Sequence, residues 1–161
     1  MIIERKINEL GYELPNKSKT GMIEGAQRAG NLVISSGNGP IKDGKTICVG
    51  RVGREVNIDQ AKEAARYCAL NCLASIKAEI GDLDQIESVV KVLGFVNSDD
   101  DFHDMPEVMN GFTELIIEIF GDKGRHARSA IGTSNLPGNI PVEAEMIVKL
   151  KEERVPKSLN R

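Results

Sequence analysis

The sequence predicts a two-layer α+β domain, in which one mixed sheet carries two helices on one of its faces. Two apolar stretches have helical spacing, and several short β-prone runs lie around them. In chain order these elements are strands, helix, strand, helix, strand and strand, and two helices packed on one sheet form an α+β domain. With 161 residues, the chain is expected to form a single domain, 1–161, whose core lies at about residues 30–150.

The first predicted strand lies at residues 31–36, after a first segment of mixed character. This run is rich in β-prone residues and stops at a loop that contains two glycines and a proline. Further on, Asp43-Gly44 indicates a hairpin, because this pair adopts the left-handed conformations that a tight turn requires. The hairpin leads into another β-prone run at residues 46–49.

The first helix is predicted at about residues 59–80. Asn57 or Asp59 is suited to cap its amino terminus, and Gly81 is suited to end it. One stripe at helical spacing contains several small residues, so this helix is expected to pack closely on a sheet. The stripe consists of Ala61, Ala65, Cys68, Cys72, Ile76 and Ile80.

A strand and a second helix follow. Residues 86–96 are apolar at both alternating positions, which is typical of a strand that is buried on both faces. The helix is predicted at about residues 106–120, where Asp104 and Glu107 have the spacing of a capping box. Its apolar face consists of Val108, Phe112, Leu115, Ile116 and Ile119.

Two strands are predicted near the carboxyl terminus, at about residues 126–133 and 140–150, and the charged tail at 152–161 is expected to fray. The second face of the sheet then has no helix to cover it. Because that face carries alternating apolar residues, we expect another copy of the chain to cover it in a homo-oligomer.

Composition narrows the class of protein. The net charge is −3 and aromatic residues make up 4% of the chain, which argues against a nucleic-acid platform. No apolar run is long enough to cross a bilayer, so no membrane partner is expected. The first six residues lack the layout of a signal peptide, and three cysteines are an odd number without a disulfide framework. These features predict a cytoplasmic protein.

Arg128, Glu143 and Glu145 are the strongest candidates for chemistry. Glu143 and Glu145 are two residues apart on a predicted strand, which places both carboxylates on one face. If this strand pairs with the strand of Arg128, a guanidinium and a carboxylate can face the same space and bind a small carboxylate substrate. The alternative reading of Arg128 is an interface salt bridge to either glutamate, and the alternative for Glu143 is a solvated strand residue.

The cysteines and histidines give weaker indications. Cys68 and Cys72 are four residues apart on a helix, but their stripe is otherwise apolar, so we interpret them as buried core thiols. Neither has a histidine at ligand spacing, and no metal site is predicted. His126 shares the strand parity of Arg128 and is a candidate cleft residue, although a packing role fits it equally.

Several motifs in order resemble the RidA/YjgF superfamily, over roughly residues 30–150. The chain resembles a longer branch of that superfamily, since it carries an extended segment at 50–73 and the variant His126-Ala-Arg-Ser-Ala130. The motifs are Gly30-Asn-Leu-Val-Ile-Ser-Ser-Gly37, Val89-Val-Lys91 with Phe95-Val96, Asp101-Phe102, Asn110, Ala127-Arg-Ser129, Leu136-Pro137 and Val142-Glu-Ala-Glu145.

The resemblance implies a chorismate-mutase-like fold and a homotrimer whose sites lie at subunit interfaces. It implies hydrolysis of reactive 2-imino or enamine acids to 2-keto acids and ammonia, without a cofactor or metal. Arg128 would bind the substrate carboxylate, and Glu143 would position the water. Substrate-binding positions would be Ser36, Gly37, Asn110 and Ala130, while Glu145 joins His126 as a candidate cleft residue.

The chain departs from the family pattern at two positions. A tyrosine common near the cleft of deaminase members would fall near Ile23, and a cysteine common after the arginine-serine pair is Ala130. The missing tyrosine leaves a second hypothesis open, in which the trimer binds a small carboxylate as a regulatory or chaperone-like protein without turnover. For Asn110, an amide that packs between helices is also an alternative.

Overall fold

The computed structural model describes residues 1–19 and 21–152, so the predicted fraying of the charged tail beyond residue 152 lies outside the described residues. None of the helices in these ranges is long and apolar enough to span a bilayer. The elements are α1 Ile2–Glu9, β1 Ala26–Ala29, β2 Leu32–Ser35, β3 Ile41–Lys42, β4 Lys45–Thr46, α2 Ile58–Ile80, β5 Ile86–Asn97, α3 Met105–Phe120, β6 Ala127–Thr133 and β7 Val142–Leu150.

The main sheet has five strands in the order β1-β2-β7-β5-β6. Strands β5 and β6 run parallel and the other neighbours are antiparallel, which confirms the predicted mixed sheet. Helices α2 and α3 cover one side of this sheet, hereafter the helix face, and the opposite side is the open face. The α+β prediction is therefore confirmed, with α1 as a third helix that was not predicted.

Helix α2 packs directly on the sheet, as its small residues predict. The Sγ atom of Cys68 lies 3.4 Å from the main-chain oxygen of Val142, and that of Cys72 lies 3.2 Å from the oxygen of Ala144. Both thiols are fully buried, and burial raises their pKa values, to about 11 for Cys72. The interpretation as core thiols is confirmed. The helix begins with a capping box between Asn57 and Gln60.

Helix α3 begins one residue before the predicted position, but its predicted capping box is wrong. The Asp104 side chain makes no capping hydrogen bond. Glu107 instead accepts hydrogen bonds from Lys62 Nζ at 3.0 Å and from Asn110 Nδ2 at 2.9 Å. The Glu107 carboxylate, which its spacing predicts to cap α3, therefore binds Lys62 on α2 instead.

Strand β5 is buried on one face only, so the prediction of burial on both faces is wrong for the single chain. Val92 and Val96 on the helix face are fully buried, whereas Val90 is 40% exposed. The open face carries Leu93, Phe95, Ile34 and Ile147, which are partly buried or exposed. The predicted apolar residues on the open face are thus confirmed, and their covering by another copy of the chain stays a prediction.

Two turns show that local sequence is sufficient to predict a hairpin. Asp43 and Gly44 have φ angles of 50° and 74° and connect β3 to β4, which confirms the predicted hairpin. Gly30-Asn31 also connects two strands, β1 and β2, and there only the first turn residue, Gly30, has a positive φ, of 63°. That pair is also a hairpin motif, and it could have predicted β1.

Helix α1 was missed because its cap comes from a distant part of the chain. The Asp84 carboxylate accepts hydrogen bonds from the main-chain N–H groups of Ile2 and Ile3, at 2.7 and 2.8 Å. These are donors that a helix amino terminus leaves unpaired. Because no local side chain caps this helix, its sequence alone lacks the usual start motif.

Gly111 makes the closest approach between α3 and α2. A Cβ atom added at this position would lie 2.2 Å from the main-chain oxygen of Lys62. We expect Gly111→Ala to lower the free energy of unfolding, because overpacking costs about 1–3 kcal/mol and exceeds the roughly 0.5–1 kcal/mol gained by replacing a helical glycine. The measurement is urea unfolding at matched protein concentration.

Gly25→Ala is the matched control for this substitution, since its added Cβ would meet Ser75 at an ordinary 3.4 Å. Equal unfolding midpoints for the two variants would contradict the close approach of α2 and α3.

Candidate functional site

Arg128 lies on β6, the edge strand of the sheet, and its side chain contacts α3. The register pairs Arg128 with Val92, a buried residue of the helix face, so the guanidinium lies on that face. Its Nη1 donates to Asn110 Oδ1 and to Thr113 Oγ1, both at 3.0 Å. Its Nη2 donates to the main-chain oxygen of Pro106 at 3.3 Å. Thus the structure brings together Arg128 and Asn110, two of the predicted site residues.

The Arg128 charge has no acidic partner in the described part of the chain. All three acceptors are neutral, and no carboxylate among residues 1–19 and 21–152 forms an ion pair with it. Burial lowers the pKa of Arg128, although an arginine remains protonated in proteins. A guanidinium has five N–H donors, so three hydrogen bonds leave two donors available.

His126 and Thr113 complete a group of four side chains on the helix face. The Nε2 atom of His126 lies 3.0 Å from Thr113 Oγ1, and its Nδ1 atom lies 2.6 Å from the main-chain oxygen of Gly124. We call Arg128, Asn110, Thr113 and His126 the arginine cluster. Thr113 is not among the predicted site residues, although it follows Asn110 by three residues and so shares its side of the helix.

Ala130 also lies on the helix face, since it pairs with Gly94 of β5, and it packs partly against the core. A cysteine at this position would share the face of Arg128. The substrate-binding role assigned to Ala130 by resemblance stays a prediction.

Glu143 and Glu145 lie together on the open face, as their spacing predicts. The register pairs them with Phe95 and Leu93, two open-face residues of β5. Burial raises the pKa of Glu143, and the neighbouring charge of Glu145 raises it further. The pKa of Glu143 is higher in the folded chain than in the unfolded chain. Its ionisation therefore lowers the free energy of unfolding as the pH rises from the unfolded-state pKa through the folded-state pKa.

The Ser36-Gly37 loop packs against Glu143. A Cβ atom added to Gly37 would lie 2.6 Å from Glu143 Oε1, so a larger residue at this position would displace the end of the Glu143 side chain. The Ser36 hydroxyl donates to the main-chain oxygen of Glu24 at 2.6 Å, and the Ser36 N–H donates to that of Gly25 at 2.8 Å. We call Glu143, Glu145, Ser36 and Gly37 the glutamate cluster.

The condition set for a shared site is not met within one chain, because the strands of Arg128 and Glu143 do not pair. Strand β5 lies between β6 and β7, and the register places Arg128 on the helix face and Glu143 on the open face. The two side chains therefore cannot face the same space within one chain. A pocket that contains both requires a second protomer, and that arrangement stays a prediction.

Comparison with known proteins agrees with this fold. The family model described as "YjgF/chorismate mutase-like, putative endoribonuclease" matches residues 4–150. The chain belongs to this family. The resemblance to the RidA/YjgF superfamily is thus confirmed.

Individual relatives agree over most of the chain. Atu1372 of Agrobacterium tumefaciens superposes with a TM-score of 0.88 at 40% identity, and the match covers 94% of each chain. Protein TCP17 of Trypanosoma cruzi is 39% identical over 116 residues, which are 71% of this chain and 72% of that protein. The YjgF gene product of E. coli, at 22% identity and a TM-score of 0.60, covers 84% of this chain and 94% of its own and shows the fold alone.

The charge of Glu145 is expected to control part of the ionisation of Glu143. We predict that Glu145→Gln lowers the pKa of Glu143 by removing the neighbouring charge, while burial keeps this pKa above the ordinary glutamate value. Titration of the carboxyl carbons by NMR measures it. Glu118→Gln, the same change on α3, serves as the control, and an unchanged Glu143 pKa in Glu145→Gln would contradict the proximity of the two carboxylates.

Proposed function

We propose that this family member hydrolyses reactive 2-imino acids, or their enamine tautomers, to 2-keto acids and ammonia without a cofactor. The observation that carries the proposal is the state of Arg128: a fixed, half-buried guanidinium with neutral partners and two unused donors. Such a group is suited to bind one carboxylate through two parallel hydrogen bonds. The family resemblance assigns the same role to this arginine.

In the proposed reaction, the oxygen of a water molecule attacks the imine carbon. Glu143 accepts a proton from this water and returns it to the imine nitrogen, which gives a tetrahedral carbinolamine. A proton then moves from the carbinolamine hydroxyl to its amino nitrogen, the carbon–nitrogen bond breaks, ammonia leaves, and the hydroxyl oxygen becomes the keto oxygen. A carboxylate with a raised pKa is a suitable base, because its affinity for the proton is closer to that needed near neutral pH.

The site is proposed to form between protomers of a homotrimer. Within one chain Arg128 and Glu143 lie on opposite faces of the sheet, but β6 is an edge strand, so Arg128 lies at a border that a neighbouring protomer can reach. The neighbour would contribute its open face, including Glu143 and the Ser36-Gly37 loop. This arrangement also covers the apolar residues that the single chain leaves exposed.

The alternative is binding of a small carboxylate without turnover. The missing tyrosine favours this alternative, since the family's cleft tyrosine would fall near Ile23, whose side chain is 76% exposed and lacks a hydroxyl group. The same arginine cluster would bind a 2-keto acid in a calorimeter, with no release of ammonia from an imine. The endoribonuclease label of the family has weaker support, because the chain is acidic and poor in aromatic residues.

A coupled assay tests the proposal. An amino-acid oxidase generates 2-imino acids of several side chains in situ, semicarbazide traps the imine, and hydrolysis lowers the trapped fraction. We expect Arg128→Ala to reduce kcat/KM by at least about tenfold, because it removes charged hydrogen bonds of roughly 1.5–3 kcal/mol to the substrate carboxylate.

Arg125→Ala is the matched control, since Arg125 is exposed and its ion pair among the described residues is with Asp122 at 3.2 Å. Circular dichroism confirms that both variants are folded. Normal turnover by Arg128→Ala would exclude its role in the reaction, and binding without turnover by the unmodified protein would favour the alternative.

Mixing two variants that each lack one functional side chain tests the location of the site. Arg128→Ala retains Glu143, and Glu143→Gln retains Arg128, so a mixed trimer has one interface at which both functional side chains meet. Equal amounts of the two, refolded together from urea, are expected to recover about a quarter of the wild-type activity if assembly is random. No recovery, with mixed trimers confirmed by mass spectrometry, would show that the two residues do not act across an interface.

A further inference from the structure

The direction of the hydrogen bonds at His126 follows from its neighbours. A main-chain carbonyl can only accept, so the Nδ1 atom that lies 2.6 Å from the oxygen of Gly124 carries a hydrogen. Burial lowers the pKa of His126, which keeps the ring neutral near pH 7. The Nε2 atom of this neutral ring is then an acceptor only. Phe112 packs against the ring edge-to-face, with centroids 6.3 Å apart, and this contact restrains its orientation.

Thr113 connects this ring to Arg128. Because Nε2 of His126 can only accept, the Thr113 hydroxyl donates its single hydrogen to the ring at 3.0 Å. Its lone pairs then accept from Nη1 of Arg128, also at 3.0 Å. The hydroxyl therefore has no hydrogen left for a substrate carboxylate.

The second acceptor of Arg128 is oriented in the same manner. Asn110 donates through Nδ2 to Glu107 Oε2 at 2.9 Å, so its oxygen points away from that carboxylate and accepts from Arg128. Glu107 is itself fixed by Lys62 Nζ at 3.0 Å. The Thr113 hydroxyl and the Asn110 amide oxygen are therefore each fixed in one orientation, as acceptors from Arg128. Freely rotating polar groups at these positions could instead donate to an anion and compete with the arginine for it.

We propose that His126, acting through the hydroxyl of Thr113, is a positioning residue that fixes the Arg128 guanidinium with two donors directed to the substrate carboxylate. This inference rests on the proposed function, in which Arg128 binds that carboxylate. His126 and Thr113 do not touch the reacting atoms. Their contribution is to occupy Nη1 with acceptors, so that Nε and the remaining hydrogen of Nη2 are the donors that stay available.

Kinetics of three variants test the positioning role. Thr113→Val keeps the shape of the side chain but removes the hydroxyl, and we expect it to raise KM roughly tenfold with little change in kcat, because it weakens carboxylate binding. Thr113→Ser restores the hydroxyl and should recover the wild-type KM. His126→Phe should raise KM to a similar extent, and the double variant Thr113→Val/His126→Phe should be no worse than either single variant.

A spectroscopic measurement separates this inference from the proposed function. The chain has two histidines, so a His103→Gln variant assigns the imidazole nitrogen resonances. We expect wild-type His126 to be the neutral tautomer with its hydrogen on Nδ1, and Thr113→Val to shift Nε2 toward the value of an imidazole nitrogen without a hydrogen-bond donor. This result does not depend on turnover.

The outcomes are distinct. If the wild-type protein does not hydrolyse imines, the proposed function fails, and the dissociation constant for 2-oxobutanoate replaces KM as the test of positioning. A hydrogen on Nε2 of His126, or an unchanged KM and dissociation constant in Thr113→Val, would overturn the positioning role.

Discussion

The register of β5 against its two neighbours determines on which face of the sheet Arg128, Glu143 and Glu145 lie. Side chains alternate between the faces of a strand, so a residue's partner on β5 fixes its face. Arg128 pairs with Val92 and goes to the helix face, whereas Glu143 pairs with Phe95 and goes to the open face. A shift of either neighbour by one residue would bring both charges to the same side.

This separation leaves opposite charges unpaired on the two faces. Within the described ranges, Arg128 contacts neutral acceptors, and neither Glu143 nor Glu145 forms an ion pair. Other charged side chains on the surface do form ion pairs, such as Lys62 with Glu107 at 3.0 Å. Burying part of an unpaired charge costs free energy, so these partly buried charges are candidates for contact with a ligand or another chain. An arginine without an acid and two acids without a base are complementary to each other.

The main elements could be predicted from local sequence, since they depend on local patterns. Helices α2 and α3, strand β5 and the Asp43-Gly44 hairpin follow from periodicity and turn residues. Helix α1 could not be predicted in this way, because its cap is Asp84, which belongs to a distant turn. The capping box at Asp104 was wrong for the same reason, because Lys62 on α2 attracts the Glu107 carboxylate.

The features of the site that depend on neighbouring residues within one strand could be predicted from the sequence. The alternation of a strand placed Glu143 and Glu145 on one face, and family resemblance supplied the roles. Strand order was needed to learn that β5 separates the two clusters, and one sequence contains no direct record of strand order. To predict the contact between Thr113 and Arg128, one would need to know which turn of α3 faces β6.

Neutral side chains hold both clusters in place, and this shared feature explains how the charges remain available. Asn110 and Thr113 on α3 hold Arg128. On the other side, buried Asn38 donates to the main-chain oxygen of Ser36 at 2.8 Å and accepts from Lys17 and from Ser75, which fixes the loop that packs against Glu143. Amide and hydroxyl groups orient a charged neighbour without neutralising it, whereas a carboxylate or an ammonium group of opposite charge would neutralise it. The framework therefore orients these charged groups without an ion-pair partner from the described residues.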